Sequence, residues 1–442
     1  MTDHRDPPPR VSGPPRRGHL DPPDSVKEIV ARLERAGFET WCVGGAVRDA
    51  LLGHPHLDWD FATAATPAQV MGVFKRTVPV GIDFGTVGVF DSANTMHEVT
   101  TFRRDVNTDG RHAVVEFGAS LDDDLARRDF TVNAMAYHPK TEELRDPFGG
   151  QIDLERGLIR AVGTAAERMR EDRLRALRGI RFASRFAFHI EPETWAAIRD
   201  SAPHMGRLSP ERVKQELEKT MEQVERPSVA LEWWREAGFL SVLIPAIAGA
   251  PAERFAALDY LPRGSGEAGK GATLSRLAML FFGEKETTAA SVAKALRFSN
   301  ADTAWIAAIA GARAELGYAI DAAVHVGMPG AGDMRRWVAR IGRMRTETFF
   351  TLNAALWRAR LAINENAELE ARLDAVTREA VAVAFRDPIE IADLAVDGED
   401  LLKAGIPNGP RMGQTLHALL DRVIADPATN TPAKLLEIAK SL

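Results

Sequence analysis

The sequence predicts an α+β protein: a small N-terminal mixed α/β head, a β-sheet with helices, followed by a long all-helical neck, body and tail. Three observations carry this. Strand-like and helix-like stretches alternate between about residue 25 and Asp153. Strand signals fade beyond Arg156, and stretches rich in Ala, Leu, Glu and Arg then continue almost to the end. A chain of 442 residues also exceeds the ~250–300 residues at which a single core stops growing. The expected divisions are an arm (1–24), a head (25–153), a neck (154–225), a body (226–385) and a tail (386–442).

Each element has a local reason. Residues 1–24 hold seven of the 25 prolines, a composition expected of a disordered arm. VKEIVARLERAG has apolar spacing suited to a helix that ends at Gly37. FETWCV reads as a short strand. AVRDALLG reads as a helix opened by Gly44 and Gly45 and closed by Gly53. LDWDFAT is strand-like, and TVGVF and HEVTTF flank the turn DSAN as a hairpin. Further on, EDRLRALR is expected on one helix. Ser209-Pro210 opens the helix ERVKQELEKTM, with Ser as N-cap and Pro at the first helical position. LPRGSGEAGKG is a surface loop, and no fixed-period repeat suggests a solenoid.

Composition narrows the function classes. No apolar run approaches the ~20 residues of a membrane span, and the N-terminus has no signal-peptide pattern. The single cysteine, Cys42, cannot form an internal disulfide. Together these point to the cytoplasm. A net charge of -6 argues against a protein that coats nucleic acid non-specifically, but not against a local basic track. Nine arginines lie between Arg156 and Arg185, where a solvated helix face is the ordinary explanation.

The chemistry concentrates in VGGAVRDALLGHPHLDWDFAT (43–63). Paired glycines between a strand and a helix let a backbone approach a ligand, and a helix N-terminus favours phosphate, although a tight turn uses the same residues. On a strand, Asp58 and Asp60 share one face while Trp59 takes the other. Side-by-side carboxylates repel unless a cation joins them, and Mg²⁺ with bound triphosphate is the usual solution. Two solvated acids at a strand end are the plain alternative.

This block resembles the signature of class II tRNA nucleotidyltransferases and bacterial poly(A) polymerases, within the polymerase-β-like superfamily. Further segments carry the resemblance in the expected order. They are LARRDFTVNAMAY (125–137), DPFGGQIDLERGLIRAVG (146–163), EDRLRALRGIRFASRF (171–186) and LSPERVKQELEK (208–219). GEDLLKAGIPNGPRMGQTL (398–416) is similar to the family's tail. The resemblance implies template-independent addition of CCA to the 3′ end of tRNA from CTP and ATP, with two Mg²⁺ ions on Asp58 and Asp60. It implies that Arg128 and Asp129 contact triphosphate and ribose, with Asn133 as a helper. Arg48 would touch phosphate or pair with a neighbouring acid. Glu98 is the candidate third carboxylate, an exposed hairpin glutamate being its alternative.

In EDRLRALR, helical spacing puts Asp172 and Arg175 three apart, Glu171 and Arg175 four apart, and Arg178 one turn further on. Cytosine and adenine offer an amine donor beside a ring-nitrogen acceptor, whereas guanine and uracil offer the reverse. An aspartate acceptor next to an arginine donor fits C and A, and the family uses this arrangement as a protein template. Ordinary helix salt bridging is the bland alternative. RRDVNTDGRHAVVEF (103–117) resembles the flexible loop of full CCA-adding enzymes, or is a polar hairpin loop. The tRNA 3′ end and acceptor arm are the expected partners, gripped by neck, body and tail.

Other features get no role. His54 and His56 read as solvated loop residues, Cys42 as core, and Trp233-Trp234 as core or a stacking platform. RLAMLFFGE lacks the His-Asp pair of an HD phosphohydrolase. GIPNGPRMGQTL is either a phosphate-facing helix start or a structural corner. Poly(A) polymerase is the competing activity, but VGIDFGTVGVF lacks the basic and aromatic stretch G-[RK]-[RQ]-F-x-L-x-H-V of those relatives. CC-only addition and an inactive RNA-binding module are the remaining alternatives.

Overall fold

Alternating apolar residues punctuated by turn glycines fold the head around seven strands. In the computed structural model, which describes residues 20–54, 58–108, 113–264, 266–361 and 367–442, the chain divides into two units. One carries the described residues up to Arg212 with Trp233–Leu243, the other Val213–Glu232 with Ile244–Leu442.

The first unit's strands are β1 (Thr40–Val43), β2 (Asp60–Thr63), β3 (Thr77–Gly81), β4 (Thr86–Phe90), β5 (Met96–Thr101), β6 (Arg103–Thr108), β7 (Ala113–Phe117), β8 (Ala136–His138) and β9 (Glu143–Arg145). Seven of them pair in the order β3-β4-β5-β2-β1-β8-β9, and β6 and β7 form a separate ribbon. β2 and β5 run parallel, Phe61 beside Val99; the other pairs are antiparallel. The helices are α1 (Asp24–Arg35), α2 (Gly45–Leu51), α3 (Pro67–Val73), α4 (Leu121–Ala126), α5 (Gly150–Arg156), α6 (Ala165–Glu171), α7 (Leu174–Phe186) and α8 (Pro192–Asp200), with the first residues of α9 (Pro210–Gln223), most of which belongs to the second unit. The side of the sheet away from Asp60 is dry: Trp59, Phe61, Val87, Val89 and Val99 are fully buried. Ser120 and Asp123 close a reciprocal cap on α4, an arrangement worth about 1 kcal/mol.

The second unit is built from helices, the longest being Asn300–Val326 and Ala367–Arg386. The buried guanidinium of Arg276 donates to the carbonyls of Met221, Val224 and Leu261 at 2.7, 3.0 and 2.8 Å. It thereby satisfies groups that helix ends leave without partners. The tail has its own core of Val396, Leu401, Ile406, Met412, Leu419, Val423, Leu435 and Ala439. Ile406 and Met412 sit there on either side of Gly409 (φ +123°), which favours the structural-corner reading of GIPNGPRMGQTL. Among the described residues no helix is long and apolar enough to cross a membrane.

Three expectations are corrected. Order begins before Ser25: Pro22 is buried, and the Leu20 carbonyl accepts from Tyr137 Oη at 2.9 Å. Most of the expected arm, residues 1–19, lies outside the described residues. Strands do not end at Arg156, because β10 (Leu158–Ile159) pairs in parallel with β11 (His189–Ile190); two-residue strands have no readable period. Finally, EDRLRALR is not one helix. α6 ends at Glu171, and Asp172 is extended (φ -146°, ψ 107°). Its carboxylate accepts from the Leu174 amide at 3.0 Å. Aspartate competes for nearby backbone donors in this way, which favours helix ends over helix interiors.

Candidate active site

The site grows from the junction of β1, β2 and α2. β1 delivers Val43 opposite Asp60, and the chain turns through Gly44 at φ +74°. A Cβ at Gly44 would lie 2.9 Å from Arg128 Nη1 and 3.9 Å from Asp60 Oδ2. Glycine therefore lets the backbone, an arginine and a carboxylate approach one another where a side chain would intrude. A Cβ at Gly45 would meet only Arg48 Nη2 at 3.5 Å.

Asp58 is exposed and precedes β2, Trp59 is buried, and Asp60 opens the strand half-buried. Burial, then the charges of Asp58 and Glu98, push the Asp60 carboxyl up to about 7 against the opposing pull of Arg128. Glu98 lies on the neighbouring β5, exposed and in register beside Asp60. Three mutually repelling acids leave room for a cation to relieve them. Among the described residues no three His, Cys, Asp or Glu side chains are grouped so as to hold a metal ion by themselves. An incomplete set of this kind suits Mg²⁺, which takes one or two carboxylates and fills its shell with phosphate and water.

Arg128 is held by Asp124, 3.0 Å away at i−4 on α4, and its buried Nε has no hydrogen-bond partner. Asp129 is buried and points elsewhere. Its carboxylate accepts from the Phe130 amide at 2.9 Å, Asn133 Nδ2 at 2.9 Å and Arg178 Nε at 2.8 Å. Burial raises this carboxyl, but Arg178 and the Asn133 hydrogen bond outweigh it and hold it at about 2. Asn133 Oδ1 in turn accepts from Arg48. Arg48 is buried, pairs with Asp49 at 2.6 Å and stacks on Phe182 and Phe186. Arg48 thus supports the site from beneath, in keeping with the neighbouring-acid reading.

α6 and α7 bring the remaining residues. Arg175 pairs with Glu171 at 2.6 Å, as the spacing predicts. The Arg175 amide donates to the Asp172 carbonyl at 3.1 Å, but the Asp172 carboxylate turns to Arg212, with which it pairs at 2.7 Å. Arg178 turns to Asp129 rather than extending the Asp172–Arg175 row. Burial, with Arg207 and Arg170 close by, lowers the Arg173 guanidinium, marking an electropositive cluster. Sequence reasoning missed Asp49, Asp124, Arg168, Arg185 and Arg212. Asp124, Arg168 and Asp49 had local signals, the first two in their i,i+4 and i,i+3 spacing to Arg128 and Glu171 and the third as the acid next to Arg48; Arg185 and Arg212 had none. The tip of the 103–117 loop, residues 109–112, lies outside the described residues, as does His56. His54 is exposed, and Trp234 is core.

Residues 40–160 match the family model of the poly A polymerase head domain, 187–250 that of the RNA- and SrmB-binding site of polymerase A, and 332–439 that of tRNA nucleotidyltransferase domain 2. A CCA-adding enzyme of Streptococcus mutans is 46% identical over 195 residues, which cover 44% of this chain and 48% of that enzyme. The chain thus spans about half the length of this relative. A CCA-adding enzyme of Lacticaseibacillus paracasei is 33% identical over 426 residues, 94% of this chain and 95% of that enzyme. The crystal structure of the Bacillus stearothermophilus CCA-adding enzyme in complex with CTP shares 31% identity and a TM-score of 0.73, covering 95% of this chain and 98% of that one. With likeness running from head to tail at this identity, the chain belongs to the CCA-adding enzyme family, the class II tRNA nucleotidyltransferases.

Proposed function

We propose that this chain adds C, C and A to the 3′ end of tRNA, using CTP and ATP. The observation that carries the reading is the meeting of Asp60, Gly44 and Arg128 beside Asp58 and Glu98, in a chain related to CCA-adding enzymes along almost its whole length. Asp58 and Asp60, with Glu98 as third carboxylate, would hold two Mg²⁺ ions, which supply charge to activate the RNA 3′-hydroxyl and to neutralise the departing pyrophosphate. Arg128, fixed by Asp124, brings Nη1 beside Gly44, where its guanidinium would meet the triphosphate. Gly44 and Gly45 admit the phosphates close to the backbone. Asp129 uses three of about four acceptor sites on protein donors, and the fourth suits a ribose hydroxyl. Arg48, Asn133 and Arg178 hold it in place.

Base choice falls to Asp172 as acceptor and Arg175 as donor. Glu171 orients Arg175, and C and A match the pair where U and G do not. The electropositive cluster at Arg173 favours the RNA backbone. Head (25–153), neck (154–225), body (226–385) and tail (386–442) divide the work, the last two holding the tRNA acceptor arm. The working compartment on this reading is the cytoplasm, where tRNA and both nucleotides occur. The match to a poly A polymerase head favours poly(A) synthesis as the second reading, against which stands the segment VGIDFGTVGVF.

Purified protein with Mg²⁺ and tRNA transcripts ending at the discriminator base, after C and after CC decides between them. Growth by C, C and A followed by a stop supports the proposal. A long A ladder on generic RNA supports poly(A) synthesis, arrest after CC a CC-only enzyme, and no addition to any transcript a binding module. Asp58→Ala and Asp60→Ala should each abolish incorporation with tRNA affinity retained, and activity in either removes the metal assignment.

A further inference from the structure

We infer that the sheet face carrying Asp60 and Glu98 continues into a seat for the RNA nucleotides just upstream of the reacting 3′ end, with Val80, Met96 and Val78 as its apolar surface. The inference rests on the chain being an RNA 3′-end nucleotidyltransferase and adds where the primer lies.

Strand register places these groups together. Asp60 and Glu98 each precede one of the paired residues Phe61 and Val99 on the parallel strands β2 and β5, Glu98 lies opposite Gly88, and Gly88 opposite Val78. Laterally paired residues point to the same side of a sheet, so these four form one rung on the open face. A Cβ at Gly88 would lie 2.9 Å from both Met96 Sδ and Val80 Cγ2. The two side chains therefore close over a position kept bare, in the rung that also carries Glu98. One step along, the hydroxyls of Thr86 and Thr100 sit 3.0 Å apart and give the surface a polar edge.

Val78, Val80 and Met96 are 39%, 44% and 39% exposed, an unusual grouping beside a cluster of acids. The chemistry identifies the occupant. The attacking hydroxyl must arrive at Asp58, Asp60 and Glu98. On the β1 side of Asp60 the space is taken by Gly44 and Arg128, so the β5–β4–β3 side is the approach left along the sheet. At a strand spacing of about 4.8 Å, Gly88 is roughly 10 Å and Val78 roughly 14 Å from the strand of Asp60. That is the region the nucleotides behind the terminal one must cross. Their bases present flat apolar faces that rest on Val and Met without sequence demands. Their phosphates, repelled by the acids, turn outward.

The test uses the full chain with Val80→Asp, Met96→Glu and the conservative Val80→Ile, each checked for an unchanged melting temperature. With tRNA ending in CC, the acidic variants should raise KM for tRNA about tenfold and leave KM for ATP unchanged, while Val80→Ile behaves as the parent. A photoreactive p-benzoylphenylalanine at position 80 should crosslink to the nucleotides preceding the 3′ end. An unchanged KM for tRNA, or crosslinks to another part of the chain or to a second copy, overturns the seat. Asp60→Ala in the same assay keeps the two readings apart. If it is inactive while Val80→Asp is normal, only the seat fails; if it is active, the nucleotidyltransferase reading fails first.

Discussion

Arg175 donates from Nη2 to the main-chain carbonyl of Arg127 at 2.9 Å. Arg168 does the same to Ala126 at 3.2 Å, and Glu171 bridges the two arginines at 2.5 and 2.6 Å. Residues proposed to read the base are therefore tied to the last turn of α4, one residue before Arg128. A base that misplaces Arg175 would move Arg128, the arginine proposed to bind triphosphate, as well.

Removing one arm of this clasp should show in turnover. Arg168→Ala is expected to lower kcat for both C and A addition by about tenfold or more, since small misplacements of positioning groups are costly. KM for tRNA should change little, and Arg168→Lys should recover part of the loss. Steady-state kinetics with CTP and ATP separately measure this, and a kcat equal to the parent's would remove Arg168 as a positioning residue.

Gly44 is the tightest point of the site. Alanine there faces both a left-handed φ of +74° and a Cβ 2.9 Å from Arg128 Nη1. Gly44→Ala should cost about 1 kcal/mol of stability and reduce incorporation at least tenfold by displacing Arg128. Gly72, whose Cβ would meet nothing within 4 Å, is the control: Gly72→Ala should leave incorporation unchanged. Equal activity of the two variants would remove the close-approach argument.

These residues also show what a reader of the chain can and cannot see. The hairpin of β4 and β5 was legible because its apolar residues alternate with period two around a polar turn. Asp58 and Asp60 were legible because the same alternation puts Trp59 in the core. The break at Asp172 was hidden by helical spacing that works equally well on either side of it, although an aspartate just before LRALRGIRF is a cap signal. Arg185–Asp49 and Arg212–Asp172, 136 and 40 residues apart, leave no local pattern at all. They exist only in the folded chain, which brings together residues far apart in sequence.

Asp129 makes stability depend on acid. Its carboxyl is held at about 2, below the ~3.9 of an unfolded chain. The sign follows: the folded state binds the proton more weakly, so the contribution is complete above about pH 4 and is lost as pH falls towards 2. Asp129→Asn should therefore destabilise by on the order of 2 kcal/mol near neutral pH. The gap from the parent should shrink on acidification below pH 4. Denaturant melts from pH 7 downward measure it, and a gap that stays constant to pH 2.5 would contradict the pairing.

Cys42 offers a clean reporter. It is fully buried between Phe61 and Tyr137 in the sheet register, and burial pushes its thiol strongly upward. A thiolate is what reacts, so a disulfide-exchange reagent should modify the native protein only through unfolding and label denaturant-unfolded chain at once. Prompt labelling of native protein would show that the β1 core is open.

Arg212 is the least expected member of the group proposed to select the base. It holds Asp172 Oδ2 at 2.7 Å while the Leu174 amide holds Oδ1 at 3.0 Å. The carboxylate is aimed by one donor on each oxygen and still has a lone-pair site on each for an incoming amine. Without Arg212 the carboxylate can rotate about χ2 and lose its alignment with the base. Arg212→Ala should therefore lower discrimination of C over U and of A over G in the same direction as Asp172→Ala, by a smaller factor of about three to ten. tRNA affinity should change little. Misincorporation assays with single nucleotides on tRNA ending at the discriminator base and after CC read both ratios. If Arg212→Ala weakens tRNA binding while both ratios stay at parental values, Arg212 serves the RNA backbone and Asp172 is aimed by the Leu174 amide alone.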